Sequence, residues 1–184
     1  MAGFRIEGYV IVSADGMLAN ADHAMPDELK FEGDKRFFTA ALDNADLIVH
    51  GRKSGEDQPN SPQRTRVILT RRVASLARDP DNPKATLWNP SAASFAQAAD
   101  FAGVTSGNVA IIGGPVVFDM FMDRYDTFWL SLAARVRIPG GQGCFPAVPA
   151  RTPAEILASH GLKPGDAQML DAADDVSVTP WRRG

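Results

Sequence analysis

The chain alternates short apolar runs with amphipathic segments, a pattern that predicts strands connected by helices. Runs rich in Ile, Val, Leu and Tyr predict strands at residues 4–12, 17–19, 46–50, 67–70, 85–88, 109–112 and 127–136. Residues 168–170 and 176–179 predict a closing hairpin around Asp174 and Asp175. Helices are predicted from Asp34 onward, at 91–102 with Ser91 or Ser94 as cap, at 116–122, at 152–159, and as a short helix starting at Gly51.

Strands that alternate with helices predict an α/β fold. We expect a single domain over residues 1–184, with a mainly parallel central sheet flanked by helices and an antiparallel hairpin at the C-terminal edge. Ligands of such sheets bind beyond the carboxyl ends of the strands. The first predicted strand is not followed by G-x-G-x-x-G, so the pattern disfavours a Rossmann fold.

Composition narrows the class of protein. With 184 residues, 45% hydrophobic and 22% charged, the chain resembles one ordinary globular domain. The net charge of −3 gives no basic face, so no nucleic-acid partner is expected. No apolar run approaches the ~20 residues that span a bilayer, and no signal-peptide pattern is present, so no membrane association is expected. The lone Cys144 excludes an intrachain disulfide, and it fits a core position in a cytoplasmic protein.

Two predicted strands end in glycine. The run 109–112 meets Gly113, Gly114 and Pro115 before an amphipathic segment, and the run 46–50 meets Gly51 and then 52–54. Without a Cβ atom the backbone approaches a ligand closely, and the N–H groups of a helix N-terminus favour phosphate. Each bend alone is a weak signal, because tight turns also need glycine. Together the two bends predict a dinucleotide with several phosphates.

Two pairs of cations follow predicted strands. Arg52 and Lys53 lie where a helix dipole would oppose them, which predicts an anion among them. Arg71 and Arg72 follow the strand 67–70, and the arginine fork suits a 2′-phosphate, which would select NADPH over NADH. The alternative for this second pair is an exposed turn with solvated side chains.

Short motifs along residues 9–146 resemble the dihydrofolate reductase superfamily, and within it most closely the reductase domain of the riboflavin pathway. The segment 13–19 (SADGMLA) is similar to the S-x-D-G-x-I-A of the riboflavin-type reductases, and 51–54 (GRKS) to the G-R-x-[ST] cofactor loop. The segment 69–72 (LTRR) resembles the one that holds the 2′-phosphate, and 112–114 (IGG) matches I-G-G. Residues 130–131 (LS) and 145–146 (FP) resemble the late motifs, and the order and spacing make the resemblance specific.

A dihydrofolate-reductase pattern is also present. Residues 24–26 and 34–38 resemble that family's substrate loop and acidic helix start, which gives Asp34 the position of the active-site carboxylate. Arg64 falls where that family's folate-glutamate-binding arginine lies. The chain departs from the family at Asp27, Val116, Phe118 and 143–144, where tryptophan, arginine, tyrosine and an Asp-Thr pair are expected. Zinc motifs of the cytidine-deaminase type are missing from the sequence.

The resemblance implies an oxidoreductase of EC class 1.1 or 1.5 that uses NADPH. It would transfer hydride to a C=N-type carbon of a riboflavin-pathway pyrimidine, in the manner of a 5-amino-6-(5-phosphoribosylamino)uracil reductase. The alternatives are reduction of dihydrofolate or another pterin, and a non-catalytic nucleotide-binding or dimer module. The implied cofactor-binding residues are Gly51, Arg52, Lys53, Ser54, Leu69, Thr70, Arg71, Arg72, Ile112, Gly113, Gly114, Pro115 and Val116. The implied contacts to a small heterocyclic substrate are Ser13, Asp15, Lys30, Arg64 and Ser131.

Asp34 is the candidate proton donor, since a single carboxylic acid can supply the proton that the reduced nitrogen needs. Its alternative role is a helix N-cap, worth about 0.5–2 kcal/mol. For Asp15 the pattern favours a turn-stabilising side chain over a substrate contact, and for His50 a satisfied structural role. No pair of histidines has metal-ligand spacing, so no metal is expected. The apolar strand around Phe128 and Trp129 is compatible with a homodimer.

Overall fold

The computed structural model describes residues 3–184 and shows one long sheet with helices on both faces. Its strands are β1 Phe4–Ser13, β2 Met17–Ala19, β3 Leu47–Gly51, β4 Arg66–Leu69, β5 Leu76–Asp79, β6 Asn82–Trp88, β7 Gly107–Ile111, β8 Thr127–Ala133, β9 Gln142–Gly143, β10 Leu162–Pro164, β11 Gln168–Asp171 and β12 Val176–Arg183. Its helices are α1 Glu32–Asp43, α2 Phe95–Phe101, α3 Pro115–Met120 and α4 Pro153–Ser159, and Asp27–Leu29 and Ser61–Gln63 form 3-10 turns.

Six parallel strands form the centre of the sheet in the order β8-β1-β7-β3-β4-β6. Strand β12 pairs antiparallel with β8, and its other edge pairs with β10 and β11. Strand β5 closes the opposite edge antiparallel to β6. The predicted α/β fold, with a mainly parallel sheet and an antiparallel C-terminal hairpin, is therefore confirmed. Because the six strands run parallel, their carboxyl ends all lie at one edge of the sheet.

The two faces of the sheet carry different apolar clusters. Along β7, Val109 and Ile111 belong to the main core, which also contains the buried side chains of α2 and α3. Ala110 packs instead with Leu42 of α1 and Ile48 of β3 in a smaller cluster. Side chains alternate between faces along a strand, so α1 covers one face while α2 and α3 cover the other. The prediction that Cys144 is a core residue is confirmed, since its side chain is buried in the main core.

Side-chain caps begin two of the four helices. Ser94 caps α2 in a capping box with Gln97, and Thr152 caps α4 in a second capping box. Helix α1 begins at Glu32 after Phe31, which makes no side-chain cap. The N-cap alternative for Asp34 is therefore wrong, because the helix has already begun where Asp34 lies.

Other differences from the predicted elements fall at strand ends and edges. The strand predicted at 127–136 ends at Ala133, and the chain at Gly51 forms a turn rather than a helix. Strands β5, β9 and β10 escape the sequence pattern because they are four, two and three residues long and lie at sheet edges or in the separate β2–β9 ladder. Within residues 3–184, no helix has both the length and the apolar character needed to cross a membrane.

Helix α1 approaches β11 very closely at Gly33. A Cβ atom at this position would overlap the backbone carbonyl of Leu170. Gly33 is buried in the first turn of α1, and its missing side chain lets the N-terminal end of the helix rest on β11. This contact fixes the height of the next residue, Asp34, above the sheet.

Candidate active site

The two glycine bends lie side by side at the carboxyl ends of β3 and β7. The Gly51 N–H donates to the Gly113 carbonyl at 2.8 Å. A Cβ atom on Gly114 would lie 3.1 Å from the Ser54 Oγ, so the bends are in direct contact. Gly113 has φ of 115°, which side chains rarely tolerate. A single ligand can therefore touch both bends.

The segment after β3 is a turn, and the prediction of a short helix here is wrong. The Ser54 N–H donates to the Gly51 carbonyl at 3.1 Å, which leaves Arg52 and Lys53 exposed at the tip. Since no helix begins there, no dipole opposes these cations, and that argument for an anion does not hold. The remaining argument for an anion is that neither Arg52 nor Lys53 forms an ion pair with any residue in 3–184.

A second exposed pair, Arg71 and Arg72, follows the neighbouring strand β4. The two strands are parallel, with Leu69 opposite Gly51. Thr70 is buried, and its Oγ1 accepts the Arg72 N–H at 3.1 Å, which bends the chain as it leaves the strand. Throughout the described chain these arginines also have no ion-pair partner. Four cations without carboxylate partners thus project from two adjacent strand ends.

The second bend continues into an apolar helix start. Ile112 is half-buried, Pro115 is the first residue of α3, and Val116 is 70% exposed. An exposed valine cannot neutralise a phosphate, but it provides an apolar surface next to the bends. The bend at 112–116 therefore contributes backbone and apolar contact, while the cations come from β3 and β4.

Asp34 lies over the carboxyl-end half of β1 and β8. One turn later in α1, the Phe37 ring contacts Tyr9 of β1 and Trp129 of β8, with ring centroids 6.2 and 5.5 Å apart. Asp34 is half-buried and interacts with the hydroxyl of Ser131, which follows Trp129 on the same face of β8. Burial raises the pKa of Asp34 to about 6, and the interaction with the Ser131 hydroxyl offsets part of this rise. The structure thus joins two site residues that were predicted separately.

The raised pKa predicts a pH-dependent cost to stability. The folded protein binds the Asp34 proton more tightly than the unfolded chain, whose pKa has the ordinary value of 3.8. The resulting stabilisation is complete below pH ~4 and is lost as the pH rises through ~6. We expect the free energy of unfolding of Asp34→Asn to exceed that of the wild type by about 1–3 kcal/mol at pH 8 and to differ little from it at pH 4. Urea unfolding at both pH values measures this difference in stability. An equal gain in stability at pH 4 and pH 8 would contradict the prediction.

Ser13 and Asp15 stabilise the loop after β1. The Ser13 hydroxyl donates to Asp15 and accepts the Met17 N–H at 3.0 Å. The two Asp15 carboxylate oxygens accept the Ile138 N–H at 3.1 and 3.2 Å. The turn role favoured for Asp15 is confirmed. The Ser13 hydroxyl is buried and already donates once and accepts once within this loop, and its contact with substrate remains a prediction.

Arg64 is buried in an ion-pair cluster. Its terminal nitrogens contact Asp43 at 2.6 Å, Gln58 at 2.8 Å and Glu56 at 3.2 Å. Asp43 ends α1, so Arg64 lies at the end of the helix opposite to Asp34. Since its side chain is only 7% exposed and its charge is already matched, the prediction of Arg64 as a substrate contact is wrong.

Three other predictions stay untested. Lys30 is exposed and pairs with Asp27 at 2.8 Å, so its contact with substrate remains a prediction. No group of three His, Cys, Asp or Glu side chains suited to a metal ion occurs among residues 3–184. Phe128 is fully buried and Trp129 stacks on Tyr9 in the same chain. These rings serve the fold of one chain, and the homodimer remains a prediction.

The sequence predictions overlooked the aromatic floor beside Asp34, formed by Tyr9, Phe37 and Trp129. The spacing contained the signal. Residues three apart on a helix share a face, as do residues two apart on a strand. Asp34 and Phe37 are related in the first way, and Trp129 and Ser131 in the second, so an acid predicted over β8 brings an aromatic ring with it.

Neither a protein-family model nor a curated protein matches the chain, but solved structures do. A riboflavin biosynthesis protein from Shewanella sp. PV-4 is 17% identical with a TM-score of 0.66, over 100% of this chain and 99% of that one. Dihydrofolate reductase from Enterococcus faecalis, complexed with NADP(H), is 16% identical with a TM-score of 0.64, over 98% of each chain. A diaminohydroxyphosphoribosylaminopyrimidine deaminase/5-amino-6-(5-phosphoribosylamino)uracil reductase from Thermotoga maritima is 15% identical with a TM-score of 0.62, over 100% of this chain and 57% of that one. These likenesses establish the dihydrofolate-reductase-like fold that the motifs predicted.

Proposed function

We propose that this chain, with its dihydrofolate-reductase-like fold, is an NADPH-dependent reductase that transfers hydride to a C=N-type carbon of a riboflavin-pathway pyrimidine. The substrate would be of the 5-amino-6-(5-phosphoribosylamino)uracil class. The observation that carries the proposal is that two different groups of residues lie along the carboxyl edge of the sheet. Touching glycine bends lie at β3 and β7, four cations with no ion-pair partner among residues 3–184 lie at β3 and β4, and a half-buried acid lies over β1 and β8. Of the structures with this fold, one is named a riboflavin biosynthesis protein and another carries a 5-amino-6-(5-phosphoribosylamino)uracil reductase in its name.

The donor set at the bends fits NADPH. Residues 51–54 and 112–116 would hold the pyrophosphate, because backbone N–H groups, a hydroxyl and cations are the partners that phosphate needs. Residues 69–72 would hold the adenosine 2′-phosphate, with Arg71 and Arg72 as the charged donors. NADPH supplies the hydride when it is bound, and the protein supplies position and electrostatics.

Asp34 would hold the proton for the substrate nitrogen. With a pKa of about 6, roughly a tenth of the Asp34 carboxyl groups are protonated at pH 7, far more than for an exposed aspartate. The Ser131 hydroxyl interacts with this carboxyl group, and the rings of Tyr9, Phe37 and Trp129 pack together on the same face of the sheet. A flat heterocycle that places the nitrogen of the reduced C=N bond facing Asp34 would match this combination.

Reduction of dihydrofolate is the less favoured alternative. The resemblance gave Arg64 the role of binding the glutamate tail of folate, but Asp43 and Glu56 already neutralise that guanidinium inside the protein. A folate tail would therefore lack its cationic partner at this position. The phosphoribosylaminouracil also carries an anion, its 5′-phosphate, and for that group the exposed Lys30 is the remaining candidate cation.

Turnover with purified protein tests the choice of substrate. We expect NADPH absorbance to fall when the phosphoribosylaminouracil is added, and to fall much more slowly with dihydrofolate. Faster oxidation with dihydrofolate would reverse this order. Binding of NADPH without turnover of either heterocycle would favour the non-catalytic module. A ligand at 100 times its dissociation constant adds about 2.7 kcal/mol to the stability of the folded protein. A thermal unfolding experiment that shows no shift with NADPH or NADP⁺ would therefore contradict the proposal as a whole.

The second cation pair is predicted to choose between the two nicotinamide cofactors. We expect the double substitution Arg71→Ala and Arg72→Ala to weaken NADPH binding about tenfold or more while NADH binding changes little, since only NADPH carries the 2′-phosphate. Isothermal titration with each cofactor gives the ratio. The control replaces Lys84 and Lys163 by alanine, which removes the same charge from two exposed positions on β6 and β10. Equal losses for NADPH and NADH in the Arg71/Arg72 variant would show that these arginines do not contact the 2′-phosphate.

A further inference from the structure

A buried cluster of charged side chains lies directly beneath the turn at 51–54. Glu56 accepts two hydrogen bonds from Arg66, at 2.6 and 2.8 Å, and these side chains are only 3% and 4% exposed. Arg64 joins them as a second cation. Buried ion pairs often add little to stability, because desolvation cancels much of the attraction. Stability alone therefore gives no sufficient reason for this cluster.

His50 connects the cluster to the turn. Its Nδ1 lies 2.6 Å from the Gly51 carbonyl oxygen, and its Nε2 lies 3.0 Å from Nη1 of Arg66. A carbonyl oxygen only accepts and a guanidinium only donates. Nδ1 must therefore carry the proton and Nε2 must accept, so the ring is neutral with one defined tautomer. Burial and the neighbouring Arg66 both lower the pKa of His50, in agreement with this assignment.

The Gly51 carbonyl that His50 contacts is also the one that closes the turn, since it accepts the Ser54 N–H. At the other end of the turn, Gly55 lies against the His50 ring, and a Cβ atom there would be 3.1 Å from Cε1. Glu56 then returns to the cluster through Arg66. The four residues from Gly51 to Ser54 are thus fixed at both ends by one buried network, although their two cations repel each other at the exposed tip.

We propose that His50 is a positioning residue that fixes the turn at 51–54 for cofactor phosphate, with Arg66 and Glu56 orienting its ring. The inference rests on the proposed function of that turn. A turn already fixed in the binding geometry loses less conformational freedom when phosphate binds, so its affinity is higher. His50 contacts neither cofactor nor substrate and acts only through the Gly51 carbonyl.

Paired substitutions at His50 separate this role from simple core packing. In His50→Asn the amide nitrogen is attached to Cγ, as Nδ1 is in histidine, and can still donate to the Gly51 carbonyl. His50→Leu keeps bulk but has no donor. We expect His50→Leu to weaken NADPH and NADH binding alike by about tenfold, and His50→Asn to stay within about threefold of the wild type. Isothermal titration at a temperature where each variant is folded gives the constants, and His160→Leu, on the surface, is the control.

A second measurement uses the wild-type protein without ligand. Imidazole ¹⁵N chemical shifts and couplings are expected to show His50 neutral at pH 7 with the proton on Nδ1. A proton on Nε2, a charged ring, or equal cofactor binding by folded His50→Leu and wild type would overturn the role of His50 alone. Failure of the wild type to bind any nicotinamide cofactor would overturn the proposed function and this role together.

Discussion

Asparagine in place of Asp34 is expected to lower the turnover number by about 10²–10⁴-fold, the usual contribution of a general acid. Asparagine keeps the size of the side chain and its contact with Ser131, but it has no acidic proton to give. The dissociation constant for NADPH should stay within about twofold, since the bends that hold the cofactor lie at other strands. The measurements are steady-state turnover and cofactor titration.

The pH–rate profile provides an independent readout of the same group. If protonated Asp34 is required, wild-type turnover falls as the pH rises through about 6, the pKa that burial gives the carboxyl group. This fall should be missing from the residual activity of Asp34→Asn. The control is Glu32→Gln, which removes an exposed carboxylate from the same first turn of α1 and should leave turnover and its pH dependence unchanged.

Stability and turnover are expected to move in opposite directions at Asp34. A neutral side chain removes the cost of burying a charge, so the inactive variant should be the more stable one above pH 6. Loss of turnover with loss of stability would mean instead that the substitution disrupts the fold. Unchanged turnover would leave Asp34 as a structural residue of α1.

Alanine in place of Gly33 is expected to destabilise the protein by about 3 kcal/mol or more, against the usual trend. In an ordinary helix, glycine to alanine gains roughly 1 kcal/mol. Here the new Cβ atom would overlap the Leu170 carbonyl of β11, and a backbone carbonyl cannot rotate out of the way as a side chain can. Urea unfolding at pH 7 measures the change.

The matched control for Gly33 is the reverse exchange in the same helix. Ala40 is exposed in α1, and Ala40→Gly should cost about 1 kcal/mol through helix propensity alone. If α1 lifts from β11 to make room for the Gly33→Ala side chain, Asp34 moves with it and turnover should fall in the fraction that remains folded. A Gly33→Ala protein as stable as the wild type would show that β11 shifts freely.

Sequence patterns predicted the fold well because they report local physics. Apolar runs and helical spacing reflect which side of each element is buried, and the capping boxes at Ser94 and Thr152 are complete within four consecutive residues. These features need no knowledge of distant contacts. The adjacency of the two glycine bends, in contrast, depends on the pairing of β3 with β7, which are distant in sequence.

The errors at the site have a non-local cause. Arg64 has a suitable residue type for a substrate anion, but Asp43, distant in sequence, takes its charge. The segment after Gly51 was predicted to be a helix, but it forms a turn and then joins the buried cluster, where Glu56 accepts hydrogen bonds from Arg66. No periodicity in the chain encodes which carboxylate will reach which arginine, so these assignments depended on the folded geometry.

The position of β1 also affects how the protein is made. Both of its neighbours, β7 and β8, follow it by about a hundred residues or more, since Phe4 pairs with Gly107 and Glu7 with Thr127. At translation rates of roughly 5–20 residues per second, the nascent β1 waits on the order of 5–20 s for its first partner. Such a high contact order slows folding and leaves an apolar segment accessible to chaperones throughout that interval.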